Sequence, residues 1–107
     1  LDKIEFRLGK ALQCITDMKT NDEKFDMVFI DADKEHCKEY LDGVMDILNS
    51  GGVVFVDNVL WAGLVASPNP AGNGAKYMKE FNDHVFKRYG ASVSIIPAWD
   101  GVLMVVK

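Results

Sequence analysis

The sequence predicts an α/β layer fold, on three observations. Two short apolar runs, Phe25–Ile30 and Val53–Val56, have strand length and are nearly continuous, the pattern of strands buried on both faces of a parallel sheet. Longer stretches between the strand-like runs repeat apolar residues at helical spacing. The resulting order, β-α-β-α-β-α-β-β, is that of one layered domain over residues 1–107.

Ile4-Glu5-Phe6-Arg7-Leu8 alternates apolar and polar and reads as a strand with one buried face, ended by Gly9. Ala11, Leu12, Ile15 and Met18 mark the first helix, and Lys19 to Lys24 a polar loop. After the Phe25–Ile30 strand, Cys37, Tyr40, Leu41, Val44, Met45 and Leu48 share one face of a helix running from Glu35 to Leu48. Asn49-Ser50-Gly51-Gly52 reads as a helix stop and turn. Val53–Val56 comes next as a strand, then a long loop from Asn58 to Gly74, of the kind that is usually functional at a sheet edge. Tyr77, Met78, Phe81, Val85 and Tyr89 line a third helix. Val93–Ile96 and Val102–Val106 are expected to pair as antiparallel neighbours across Pro97-Ala98-Trp99-Asp100-Gly101.

Composition narrows the function. With 49% hydrophobic and 26% charged residues the chain is an ordinary globular one. A net charge of -4 lacks the basic footprint of a nucleic-acid binder. Cys14 and Cys37 form no CxxC motif and read as buried thiols on helix faces. No apolar run approaches the ~20 residues of a membrane span. No signal peptide is evident, and a cytoplasmic location is expected. The chain begins at Leu1 in a strand-like run, so a longer parent protein is expected.

Chemistry concentrates at two strand ends: Asp31-Ala32-Asp33-Lys34 after Ile30, and Asp57-Asn58 after Val56. If these strands are parallel neighbours, about 4.8 Å apart, Asp31, Asp57 and Asn58 converge at the carboxyl edge, where open α/β sheets bind ligands. Three hard oxygen donors suit a hard cation: Mg²⁺, Mn²⁺ or Ca²⁺.

Phe25-Asp26-Met27-Val28-Phe29-Ile30-Asp31-Ala32-Asp33-Lys34 resembles the signature of the cation-dependent, S-adenosylmethionine-using O-methyltransferases, the caffeoyl-CoA O-methyltransferase-like enzymes, with catechol O-methyltransferase a more distant relative. Gly51-Gly52 with Val56-Asp57-Asn58-Val59-Leu60-Trp61 after it is similar to their next motif. The upstream Ile4 to Leu12 segment and Asp100-Gly101 fit as well. The resemblance implies a Rossmann-like methyltransferase sheet, mostly parallel, with an antiparallel C-terminal hairpin. It further implies that this is the C-terminal portion, lacking the first two strands, the glycine-rich turn of the cofactor site and the ribose-holding acid. Strand order 3-2-1-4-5-7-6 is implied, of which the chain supplies strands 3 to 7.

The resemblance also implies roles. Asp31, Asp57 and Asn58 would hold the metal, and Asp31 would also lie beside substrate and S-adenosylmethionine. Asp33 would approach the methionine part of that cofactor, or serve as N-cap of the next helix. Ala11 would approach its adenine, or be a core alanine. Lys34 would be the general base, its charge disfavoured at a helix N-terminus beside a cation; the plainer alternative is a solvated lysine. Trp61 would line the substrate mouth or cover the core edge. Ala62 stands where the plant enzymes have a substrate-contacting Asn. Trp99 reads as a packing residue, and His36 and His84 as solvated. The implied reaction is methylation of a hydroxyl on a small catechol-like aromatic; from the strand edge left unpaired by the missing strands, a homo-oligomer, a dimer, is expected. The rival readings are an inactive or dimerising fragment and a methyltransferase of an RNA nucleoside hydroxyl. A phospho-receiver domain would need a lysine beside Pro97, where Ile96 and Ala98 stand instead.

Overall fold

The computed structural model describes residues 2–107. Within them, helix α1 (Ala11–Thr20) leads to strand β1 (Phe25–Ile30), helix α2 (Cys37–Ile47) to strand β2 (Leu48–Asp57), and helix α3 (Asn73–Tyr89) to the hairpin β3 (Val93–Ile96) and β4 (Val102–Val106). Strand order is β1-β2-β4-β3. The β1–β2 pair is parallel, and both β4 pairings are antiparallel. The sheet is therefore mixed, and its order is the 4-5-7-6 part of the implied methyltransferase sheet.

Ile47 ends α2 and Gly51, at φ 80°, provides the left-handed turn that only glycine adopts freely. Leu48 already pairs with Phe25, and pairing resumes at Met27 and Val53. The four residues expected as a turn, Asn49 to Gly52, thus bulge between two ladder segments. The long loop after Asn58 is partly ordered as a short 3-10 turn, Trp61–Ala66.

One face of the sheet makes the core. Ile30, Val54, Val56, Leu103 and Val105 pack with Cys37, Leu41, Val44 and Ile47 of α2 and Met78, Phe81 and Val85 of α3. Ile15 and Met18 of α1 lie against the same cluster, although no α1 residue is fully buried. Cys37 is buried and Cys14 half-buried, both free thiols. His84 is not solvated as expected. With Tyr89 it meets Asp42 of α2, the Tyr89 hydroxyl donating at 2.6 Å and His84 Nε2 lying at 3.2 Å.

The other face corrects the expectation of strands buried on both sides. Met27 and Phe29 are 61% and 56% exposed. Val53, Phe55 and Met104 are not part of the core cluster either, and Phe55 and Met104 are only half-buried. Phe29 stands beside Phe55, and Phe55 beside Met104, in register across the sheet. The apolar runs are written for two covered faces, and the described helices cover one.

Ile4–Leu8 is not a strand. Ile4, Phe6 and Leu8 are 70%, 84% and 90% exposed. Alternation makes a strand only where a neighbour accepts its backbone hydrogen bonds, and among the described residues β1 pairs with β2 alone. The segment is held instead by Arg7, which donates to both carboxylate oxygens of Glu23 at 2.9 and 3.0 Å and to Glu5 at 2.6 Å. No described helix is long and apolar enough to cross a membrane.

Candidate active site at the carboxyl edge of the sheet

Ile30 and Val56 are partners in the parallel β1–β2 register. The residues after them, Asp31 and Asp57, therefore leave the sheet side by side, at the spacing of adjacent strands, about 4.8 Å. Asn58 turns out of β2 at φ 63°, a left-handed conformation that Asn tolerates better than most residues. Its backbone N–H donates to Asp57 Oδ1 at 2.7 Å.

Lys34 spans both strand ends. Its Nζ lies 3.7 Å from Asp31 Oδ1 and 3.4 Å from the Asp57 carbonyl oxygen. The side chain is only 13% exposed, whereas that of Asp31 is 60% exposed. This is not the solvated lysine of the plainer reading: the ammonium is drawn into the edge by two oxygens. The donor set of Asp31, Asp57 and Asn58 is two carboxylates and an amide, all hard oxygens, and its side-by-side placement fits a hard divalent cation. No group of three His, Cys, Asp or Glu side chains gathers as a metal cluster among the described residues.

Asp33 faces a different neighbourhood. One carboxylate oxygen lies 2.5 Å from His36 Nδ1, and the other accepts the Tyr40 hydroxyl. Tyr40 and then His36 hold the Asp33 carboxyl below the usual carboxylate range. In return Asp33 raises His36 above its ordinary value and pushes Tyr40 up to about 12. Burial pushes the neighbouring Cys37 thiol up to about 11. Asp33 is not the N-cap considered from sequence, since α2 begins after His36 without a side-chain cap. Sequence reasoning misses its two partners, because Tyr40 counts there only as a core-facing residue. Their spacing, three and seven residues after Asp33 on a helical stretch, is the available signal.

Beside this edge a cavity of about 470 Å³ opens between α1 and β1. Gly9, Ala11, Asp31, Ala32 and Tyr40 line part of it, so Ala11 and Asp31 face one space. Asp33, Asp57 and Trp61 do not line it. Trp61 packs its ring over the start of α3, where a Cβ on Gly74 would collide with Trp61 Cζ2.

The loop carrying Trp61 is pinned to the β3–β4 tip. Val59 and Leu60 donate to the carbonyls of Gly101 and Asp100 at 3.2 and 2.9 Å, and Ala62 N–H donates to Asp100 Oδ1 at 2.5 Å. Among the described residues, those other than glycine with positive φ are Asn58, Trp61, Ala62 and Trp99, all on this edge, and Asp22 elsewhere. Backbone strain of this kind clusters at functional sites. Trp99 is 101% exposed, which overturns its reading as a packing residue.

The chain is similar to known proteins in sequence and in fold. A family profile described as O-methyltransferase matches residues 1–107. Mouse (Mus musculus) catechol O-methyltransferase domain-containing protein 1 is 33% identical over 107 residues, covering 98% of this chain and 41% of the relative. The caffeoyl-CoA O-methyltransferase of Pinus taeda is 34% identical over 112 residues, covering 95% and 43%. Among solved structures, the Bacillus cereus O-methyltransferase in complex with SAH superposes at a TM-score of 0.76 with 28% identity, over 99% of this chain and 51% of that one. TomG from Streptomyces achromogenes, in complex with SAM, gives 0.74 and 29%, over 92% and 48%. The chain thus spans about half the length of the proteins it matches. Strand order, the two acidic strand ends and these likenesses agree, and the chain belongs to the O-methyltransferase family.

Proposed function

We propose that the protein transfers a methyl group from S-adenosylmethionine to a hydroxyl of a small catechol-like aromatic, with a divalent cation held by Asp31, Asp57 and Asn58. The observation that carries this is the parallel pairing of Ile30 with Val56, which sets Asp31 beside Asp57 with Lys34 across both. When bound, the cofactor supplies a methyl group on a positively charged sulfur, and the cation supplies charge that lowers the proton affinity of a substrate hydroxyl. A free phenol, with a pKa near ~10, is a poor nucleophile at neutral pH. The neutral amine form of Lys34 would take that proton and become the ammonium that Asp31 and the Asp57 carbonyl hold at the strand ends. Asp31 orients the reacting oxygens and borders the cavity that Ala11 shares. Asp33, held by Tyr40 and His36, offers a fixed negative charge to the ammonium of the cofactor's methionine part. Trp61 closes the substrate side over α3. The SAM and SAH bound in the similar structures support the choice of cofactor.

The open apolar sheet face favours a second reading, an associating module without turnover. Both are tested on the protein at its full natural length. Calorimetric titration with Mn²⁺ is expected to show one site that Asp57→Ala abolishes; identical titrations of wild type and variant would sink the metal assignment. Lys34→Ala is expected to retain the Mn²⁺ heat and to lose about a hundredfold or more in methyl transfer to catechol. Equal loss of both would make Lys34 structural, and no methyl transfer by the wild type would favour the second reading.

A further inference from the structure

The tip of the β3–β4 hairpin sits directly beyond Asp57, because Asp57 pairs with Val102, the first residue of β4. Gly101 N–H donates to the Ala98 carbonyl at 2.9 Å, closing a tight turn with Trp99 at its second position. Trp99 has φ 52° there. That conformation suits glycine; for a bulky residue it is a genuine outlier. The indole gains nothing from the fold in return, being 101% exposed. A strained backbone and a wholly solvated large aromatic ring at one position are both unfavourable for the chain by itself. The turn is nevertheless held firmly: Asp100 and Gly101 bind the backbone of Val59, Leu60 and Ala62, the residues that leave the proposed metal site. Trp61, the other tryptophan of this edge, is committed to packing over Gly74.

We infer that Trp99 is a specificity-determining residue, a stacking wall for the aromatic ring of the substrate at the carboxyl edge. This rests on the aromatic-substrate reading above. A flat ring binding at Asp57 and Asn58 lies beside the turn that presents Trp99. Offset stacking of two aromatic faces then supplies an attraction that the solvated indole lacks in the free protein. Asp100 acts as a positioning residue, tying the height of the turn to the loop after Asn58.

The experiment uses the protein at full natural length with Mn²⁺ present and catechol as probe. Calorimetry is run on wild type, Trp99→Gly and Trp99→Phe, with thermal unfolding of each. Trp99→Gly is expected to weaken catechol binding about five- to tenfold, while its Tm is unchanged or raised because the strain is relieved. Trp99→Phe is expected to bind nearly as wild type. Propane-1,2-diol, which has the paired hydroxyls but no ring, is expected to bind wild type and Trp99→Gly alike. Catechol binding unchanged in Trp99→Gly overturns the inference alone and leaves the aromatic-substrate reading standing. A lowered Tm overturns it by making Trp99 structural, and equal weakening for propane-1,2-diol overturns it by removing the role of the ring. A wild type that does not bind catechol overturns the aromatic-substrate reading and this inference with it.

Discussion

Asp33 shows how much a single side chain at this edge is constrained by neighbours rather than by water. Its two oxygens are each engaged, one by His36 and one by Tyr40, so the carboxylate has a fixed orientation although both it and His36 are about half exposed. Bonding to Asp33, with added attraction from Glu35 and Glu39, raises the His36 imidazole above its ordinary value, near ~6.5. A folded His36 value above the unfolded one means that the pair's contribution is lost as pH rises from about 6.5 through the folded value, and on the acid side it is lost as pH falls through the lowered value of the Asp33 carboxyl. NMR titration of His36 is expected to give a midpoint above that of an unfolded peptide, returning to it in Asp33→Asn; the same midpoint in both proteins would remove the pair. Asp31, Asp57 and Asn58 are legible in the sequence as a group because each stands at or just beyond a strand end, where position is set by the sheet, and Lys34 follows Asp31 by three residues. The Asp33 partners and the exposure of Trp99 are not. They depend on the local path of a turn, and a tryptophan in a sequence carries no mark of which side of the surface it takes.

Among the helices and strands, apolar periodicity reveals those that depend on it alone and is silent where a neighbour decides. α1, α2 and α3 start and stop within a few residues of where their apolar spacing ends, and the β3–β4 hairpin forms as expected. Ile4–Leu8 has the pattern of a strand but no strand beside it, and a strand cannot satisfy its own backbone. The contact between α2 and α3 is likewise invisible to periodicity. Asp42 gathers the Tyr89 hydroxyl, His84 Nε2 and Arg88 Nε, the last at 3.5 Å, and so ties the middle of one helix to the end of the other. The Arg88 guanidinium also lies 5.6 Å from the centre of the Tyr89 ring. The neutral hydroxyl-to-carboxylate bond is the better-shielded member, and hydrogen bonds to charged groups contribute about 1.5–3 kcal/mol when buried, less here where Asp42 is part-exposed. Tyr89→Phe is therefore expected to lower unfolding free energy in urea by about 1 kcal/mol, and Asp42→Asn to lower it comparably. A Tyr89→Phe protein as stable as wild type would show that this bond adds nothing to the packing of α2 on α3.

The whole molecule is a layered fold with one layer described. On the covered face, Val54, Val56, Leu103 and Val105 are fully buried under α2 and α3. On the opposite face, Met27, Phe29, Val53, Phe55 and Met104 form continuous rows in register with no described helix over them. β1 adds an unpaired edge to that face, and Ile4, Phe6 and Leu8 lie exposed in the segment before α1. Contiguous apolar surface beyond a few hundred Å² is uncommon on monomers and marks a contact surface or an aggregation hazard. An open edge strand is in addition a template for another strand. The continuous apolar composition of β1 and β2 thus specifies a second covering layer, which is the sense in which the sequence reads as two-faced while the structure covers one face. A polypeptide of residues 1–107 prepared alone must cover these rows with something, and the nearest available surface is another copy of itself. Light scattering is expected to show dimers or larger species, and charged substitutions at Met27 and Phe29 are expected to shift them toward monomer without loss of helix content, since neither side chain belongs to the core. A monodisperse species at the 11.9 kDa monomer mass, unchanged by Met27→Lys and Phe29→Lys, would show that the open face is tolerated in water and that the sheet needs no second layer.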